Sequence, residues 1–142
     1  MKKRFHAFDG RRAIPLLVLF TLTGCGPGKG DVTGKVTYQD KPIIFGSVQF
    51  IDRSGQPQVA KIGEDGSYSL QDLIAGDNRV LVHSPNPKEV VRRNKMGEPV
   101  EAPAVDPKRW FPIPEKYGDP QKSDLTFPIQ SGKMNTINID LK

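Results

Sequence analysis

"VTGKVTYQDKPIIFGSVQFID", residues 32 to 52, decides the architecture. Val32, Gly34, Val36 and Tyr38 occupy alternate positions, with Thr33, Lys35 and Thr37 between them. Successive strand side chains point to opposite faces, so this period of two is that of a half-buried β-strand. "SVQFID" (47 to 52) is a second strand, and the same reading extends to "QVAKI" (58 to 62), "SYSL" (67 to 70), "NRVLVHS" (78 to 84), "DLTFPI" (124 to 129) and "NTINIDL" (135 to 141). In the last, Ile137, Ile139 and Leu141 alternate with Asn138, Asp140 and Lys142. Turns fall at Ser54-Gly55, Asp65-Gly66, Gly76-Asp77 and Ser131-Gly132. Seven short strands without an amphipathic helix predict an all-β chain, folded as a single seven-stranded β-sandwich over residues 31 to 142. The 13 prolines and 14 glycines fit, because both disfavour helix interiors and punctuate loops.

The opening stretch, with "GEDGSYSL" (63 to 70) and "LIAGDNRVLV" (73 to 82), resembles the carboxypeptidase regulatory-like domain. The shared pattern is a strand, a turn, a glycine before the second strand, a D-G-x-aromatic hairpin and a further alternating strand. The resemblance implies a transthyretin (prealbumin)-like Greek-key sandwich. The tail "FPIPEKYGDPQKSDLTFPIQSGKMNTINIDL" (111 to 141) is similar to the ending of small bacterial lipoproteins that carry this domain. Lys41 stands where the family has a glycine, and Ala75 and Asn78 replace its proline and tyrosine. Such motifs specify a fold and leave function to be argued from a site.

Upstream of the strands, residues 1 to 12 carry Lys2, Lys3, Arg4, Arg11 and Arg12 against one acid, Asp9, and "AIPLLVLFTL" (13 to 22) is uncharged and mostly apolar. A membrane span needs about 20 apolar residues. A basic region followed by ten apolar residues reads instead as a signal peptide, residues 1 to 24. It ends in Leu22-Thr23-Gly24-Cys25, which resembles the lipobox of bacterial lipoproteins. That resemblance implies cleavage between Gly24 and Cys25 and diacylglyceryl transfer to the Cys25 sulfur, a step that needs a thiolate nucleophile. Two or more acyl chains hold a protein stably on a bilayer where one does not. Residues 25 to 30 would then be the lipidated cysteine and a glycine-rich tether. Gly26 is not the aspartate that favours inner-membrane retention in enterobacterial lipoproteins, so the resemblance implies a lipid-anchored place in the cell envelope, at the outer membrane. Arg11-Arg12 matches the twin-arginine export signal only in the arginine pair itself.

Loss of residues 1 to 24 removes five of 21 basic residues and one of 16 acidic ones, leaving 16 − 15 = +1. So even a balance gives no electrostatic case for nucleic acid. Cys25 is the only cysteine, so an acylated chain has no thiol for a disulfide or redox motif. The 118 residues that follow the signal suffice for one core.

Chemistry-bearing patterns are sparse. His83 is the one histidine after the signal, and no G-x-S-x-G or similar motif accompanies it. Transthyretin-like hydrolases end in Tyr-Arg-Gly-Ser, whereas this chain ends Asn138-Ile139-Asp140-Leu141-Lys142, so their activity is not carried over. Glu64-Asp65-Gly66 lacks the alternating ligands and closing glutamate of a calcium loop and reads as a hairpin turn. No catalytic residue, metal ligand or cofactor is expected.

A proline-rich insertion at 85 to 120 holds eight of the 13 prolines, the cations Arg92, Arg93 and Lys95, and the aromatics Trp110, Phe111 and Tyr117. Residues 88 to 105 offer few large apolar groups to offset the entropy of ordering, so that part is expected to be mobile and Trp110 to Tyr117 ordered. Aromatics beside Lys108, Arg109 and Lys116 can stack on sugars or bases, which makes Trp110, Phe111 and Tyr117 the candidate ligand contacts. The preferred reading is that Trp110, Phe111 and Ile113 pack back on the sandwich, because a small core usually recruits its lone tryptophan. The function expected is that of a non-catalytic structural or interaction module whose partners are the bilayer, through Cys25, and an envelope protein or glycan. The alternative is a carbohydrate- or peptidoglycan-binding module using the Trp110 region.

Overall fold

The computed structural model describes residues 26–90, 92–93, 99–100 and 105–142. The signal peptide and Cys25 read from the sequence lie outside the described residues, as does most of 88 to 105. The described chain is all-β: β1 (Lys29–Tyr38), β2 (Lys41–Pro42), β3 (Ser47–Ile51), β4 (Pro57–Lys61), β5 (Ser67–Ile74), β6 (Gly76–His83), β7 (Arg92–Arg93), β8 (Pro99–Val100), β9 (Thr126–Ile129), β10 (Met134–Thr136) and β11 (Ile139–Leu141), with one 3-10 turn at Glu115–Gly118. Lys29 and Gly30, read as tether, already belong to β1.

Two sheets face each other. In the first, β1 is central: β5 and then β2 run antiparallel to it along one edge, and β10 and then β11 run parallel to it along the other. The second is antiparallel in the order β4-β3-β6-β9. Alternation sets which residues meet between them. Val32 and Val36 of β1, Val48 and Phe50 of β3, Tyr68 of β5, Val80 and Val82 of β6 and Ile139 of β11 form one buried cluster. Phe50 and Tyr68 cross the gap with ring centroids 6.0 Å apart. This is a β-sandwich, with each sheet supplying the apolar face that the other covers.

Among the described residues there are eleven strand segments where the alternation suggested seven, for two local reasons. The first is that residues 135 to 141 are not one strand. The Ile137 carbonyl turns inward to accept the buried Tyr68 hydroxyl at 2.7 Å, and Asn138 Oδ1 takes the Lys35 N–H at 3.1 Å in place of a backbone carbonyl. The ladder breaks for two residues and resumes with the offset from β1 unchanged, Thr33 opposite Thr136 and Val36 opposite Ile139. Because the interruption is an even number of residues, Ile137, Ile139 and Leu141 all stay buried. The second reason is short additions. β2 follows a two-residue turn in which Gln39 (φ 50°) and Asp40 (φ 62°) are both left-handed, so Lys41 escapes the strain its replacement of a glycine suggested. β7 and β8 pair antiparallel within the insertion, Arg92 opposite Val100.

Strand pairing fixes two ends. Lys29 lies opposite Ile74, and Gly76 opposite Ile129, so the chain enters β1 beside the β5–β6 and β9–β10 turns. His83 lies opposite Ser47 at the other end of β6. Seven residue steps of β6 separate Gly76 from His83, roughly 23 Å at about 3.3 Å per step.

Candidate functional site

A cavity opens at the His83 end. There the chain leaves β6 as Ser84-Pro85-Asn86 and returns from the insertion as Trp110 to Lys122, and a cleft of about 700 Å³ lies between the two arms. The returning arm is fastened along β6. Val80 N–H donates to the Leu125 carbonyl (2.9 Å), the Ser123 hydroxyl to the Val80 carbonyl (2.8 Å), and Arg79 Nη1 to the Pro120 carbonyl (2.8 Å). Prolines 85, 112, 114 and 120 line the walls, where they limit the freedom of the unfolded chain.

The three aromatic candidates separate. Trp110 lines the cleft, half-buried, and its indole Nε1 donates to Ser84 Oγ at 3.1 Å. Ser84 in turn donates to the Phe45 carbonyl at 2.7 Å, so two hydrogen bonds in series fix the ring. Phe111 stacks on Tyr38, centroids 6.2 Å apart, and packs against the core. Tyr117 is 3% exposed. Its hydroxyl donates to the Lys142 carbonyl (2.6 Å) and accepts the Lys142 N–H (2.9 Å), clamping the end of the last strand. The clamp joins positions 25 apart in sequence, and no local pattern announces it.

Several polar groups at the cleft are already committed. Lys122 Nζ lies 3.4 Å from Asp119 Oδ2, and Asn86 Nδ2 donates to Glu89 Oε1 at 3.0 Å. Backbone donation from Gln121 first, and Lys122 beside it, hold the Asp119 carboxyl below its ordinary value. His83 is exposed and lines the cleft, but the Ser84 hydroxyl proton points to Phe45 and not to an imidazole, which is not the arrangement of an activated nucleophile. Among the described residues no group of three or more His, Cys, Asp or Glu side chains is placed to hold a metal. No helix among them is long and apolar enough to cross a membrane.

The Glu64-Asp65-Gly66 segment is a closed hairpin. Asp65 Oδ1 accepts the Ser67 hydroxyl and the Ser67 N–H, and Gly66 (φ 80°) completes the turn. The Ser67 hydroxyl chiefly, then the Ser67 N–H and Lys35, lower the Asp65 pKa from 3.8 to about 2. A depressed carboxyl stabilises the fold above its unfolded value and loses that contribution as pH falls from 3.8 through about 2. In Ser67→Ala the Asp65 carboxyl carbon, followed by NMR, is expected to titrate closer to 3.8; an unchanged midpoint would show that the hydroxyl is not the cause.

The fold and cleft define a small all-β sandwich domain with a binding-sized cavity at one end. No family model matches the chain, and no curated protein matches it. Among solved structures, a DUF3823 family protein from Parabacteroides merdae is 14% identical over 82% of this chain and 47% of its own, with a TM-score of 0.45. A second DUF3823 family protein, from Bacteroides ovatus, is 17% identical over 80% of this chain and 44% of its own (TM-score 0.45). BcpA, the major pilin subunit of Bacillus cereus, is 10% identical over 82% and 30% (TM-score 0.47). The chain spans less than half the length of each.

Proposed function

We propose that the chain is a lipid-anchored, non-catalytic interaction module of the bacterial cell envelope. Residues 1 to 24 are a signal peptide and Cys25 carries the lipid. The domain is a transthyretin-like Greek-key sandwich of the carboxypeptidase regulatory-like type. Its seven strands are β1, β3, β4, β5, β6, β9 and the interrupted β10–β11, with β2, β7 and β8 as short additions. The observation that carries this reading is the placement of the cleft. It lies at the end of the sandwich opposite the one where the chain arrives from Cys25, so an anchored domain presents it to the aqueous side. Only Gly26, Pro27 and Gly28 separate Cys25 from β1, a reach of about 14 Å at most.

Trp110 favours a second, narrower reading, in which the partner is an envelope glycan. A held aromatic ring with polar side chains around it suits the C–H face and the hydroxyl rim of a sugar.

Cys25→Ser tests the anchoring. The lipoprotein peptidase acts after diacylglyceryl transfer, so the variant is expected to persist as uncleaved precursor and to take up no labelled palmitate, while the wild type is labelled and processed. Label in the variant would overturn the assignment.

A further inference from the structure

The hydrogen-bond accounting of the cleft is lopsided, and the imbalance carries information about the ligand. Its donors are largely spent inside the protein: Trp110 Nε1 on Ser84, the Ser84 hydroxyl on Phe45, one Asn86 amide hydrogen on Glu89, and the Lys122 ammonium beside Asp119. Its acceptors are in surplus. Three carboxylates line it, Glu89, Glu115 and Asp119, against Lys122 and the exposed His83 imidazole, and of the three only Asp119 has a salt-bridge partner among the described residues. The indole contributes in the same sense. Its N–H, the positive part of its edge, is occupied, and what it offers a ligand is the face, where the ring quadrupole is negative.

From this we infer that the Trp110 cleft selects by charge, accepting a neutral or amine-bearing glycan and rejecting an anionic one. The inference rests on the glycan reading given above and adds the chemical class. Sugar hydroxyls and ammonium groups bring the donors that free carboxylate oxygens and an aromatic face require. A uronate or sulfated sugar brings more acceptors and a like charge, and finds few donors free to meet it. Coulomb repulsion across several ångströms at a wet surface is modest and screened, so the discrimination is roughly tenfold at low ionic strength and shrinks as salt is added.

Trp110 is the only tryptophan, so its emission reports on the site directly. The test uses the full lipidated chain in detergent at pH 6 and low salt, titrated with three tetrasaccharides: N-acetylglucosamine (neutral), glucosamine (protonated) and galacturonate (anionic). Glucosamine is expected to bind tightest, N-acetylglucosamine next, and galacturonate about tenfold more weakly than glucosamine. Glu89→Gln with Glu115→Gln, both exposed and remote from the core, should narrow that gap about threefold, and Trp110→Ala, followed by calorimetry, should remove binding of all three. Equal affinities, or galacturonate binding tightest, would overturn the charge selection and leave the glycan reading standing. No response to any of the three sugars would overturn the glycan reading, and the selection with it.

Discussion

Ile139→Asp is expected to unfold the domain, and Asn138→Asp, one residue earlier, to leave it folded. Ile139 is 0% exposed, lies opposite Val36 and sits in the cluster between the sheets. Removing a buried isoleucine forfeits about 1.5–3 kcal/mol of burial. A carboxylate left unpaired in its place costs several kcal/mol more. Against a total stability of about 5–15 kcal/mol, that exhausts the margin. Asn138 is exposed, and what it contributes is an oxygen, the Oδ1 that accepts the Lys35 N–H, which aspartate retains. Circular dichroism melts of the chain expressed from Gly26 onward distinguish the two. If both substitutions were tolerated, or both unfolded the protein, the assignment of inward and outward positions in the last strand would be wrong.

Much of the sandwich was legible because alternation is a local property. Val32 with Val36, and Ile139 with Leu141, could be placed on the core face from their spacing alone, and they are buried there. Features that depend on distant partners were not legible. The interruption of the last strand needs Tyr68 to reach the Ile137 carbonyl across 69 residues of sequence. Asn78 gives no sign in the sequence that it will be buried with its amide donating to the Ile74 and Gly76 carbonyls. The candidate site was legible as a segment and not as a geometry. The insertion was marked by its prolines and aromatics, but nothing in the sequence assigned Tyr117 to a buried clamp, Phe111 to a stack on Tyr38, or Trp110 to a cleft wall. Those outcomes follow from where the returning arm meets β6.

Gly34→Ala is expected to be strongly destabilising although it adds a single methyl group. Gly34 lies in the middle of β1, opposite Tyr68, where the Ile137 carbonyl turns inward. An ideal Cβ there would overlap Ile137 O and stand 2.6 Å from Ile137 C and 3.2 Å from Tyr68 Cε1. Two of these atoms are backbone and cannot step aside, so relief requires the C-terminal strands to move away from β1. That movement strains the Tyr68 hydroxyl bond to Ile137, the Ile137 N–H bond to Thr33 (2.8 Å) and the Asn138 bond to Lys35 together. Overpacking costs about 1–3 kcal/mol, and each lost hydrogen bond about 0.5–1.5, so a loss of roughly 3–5 kcal/mol is expected. Gly118→Ala is the matched control. Its Cβ would meet His83 Nδ1 at 3.5 Å and Val82 O at 3.6 Å, ordinary contacts, and its effect should stay within about 0.5 kcal/mol. Urea midpoints measure both. The damage should also travel, because the strand that follows Ile137 runs into Lys142, which Tyr117 holds beside the cleft. Trp110 emission in folded Gly34→Ala protein is therefore expected to shift red relative to the wild type. A variant with wild-type stability would mean that the Ile137 carbonyl does not lie over Gly34, and the path from the core strand to the cleft would be lost with it.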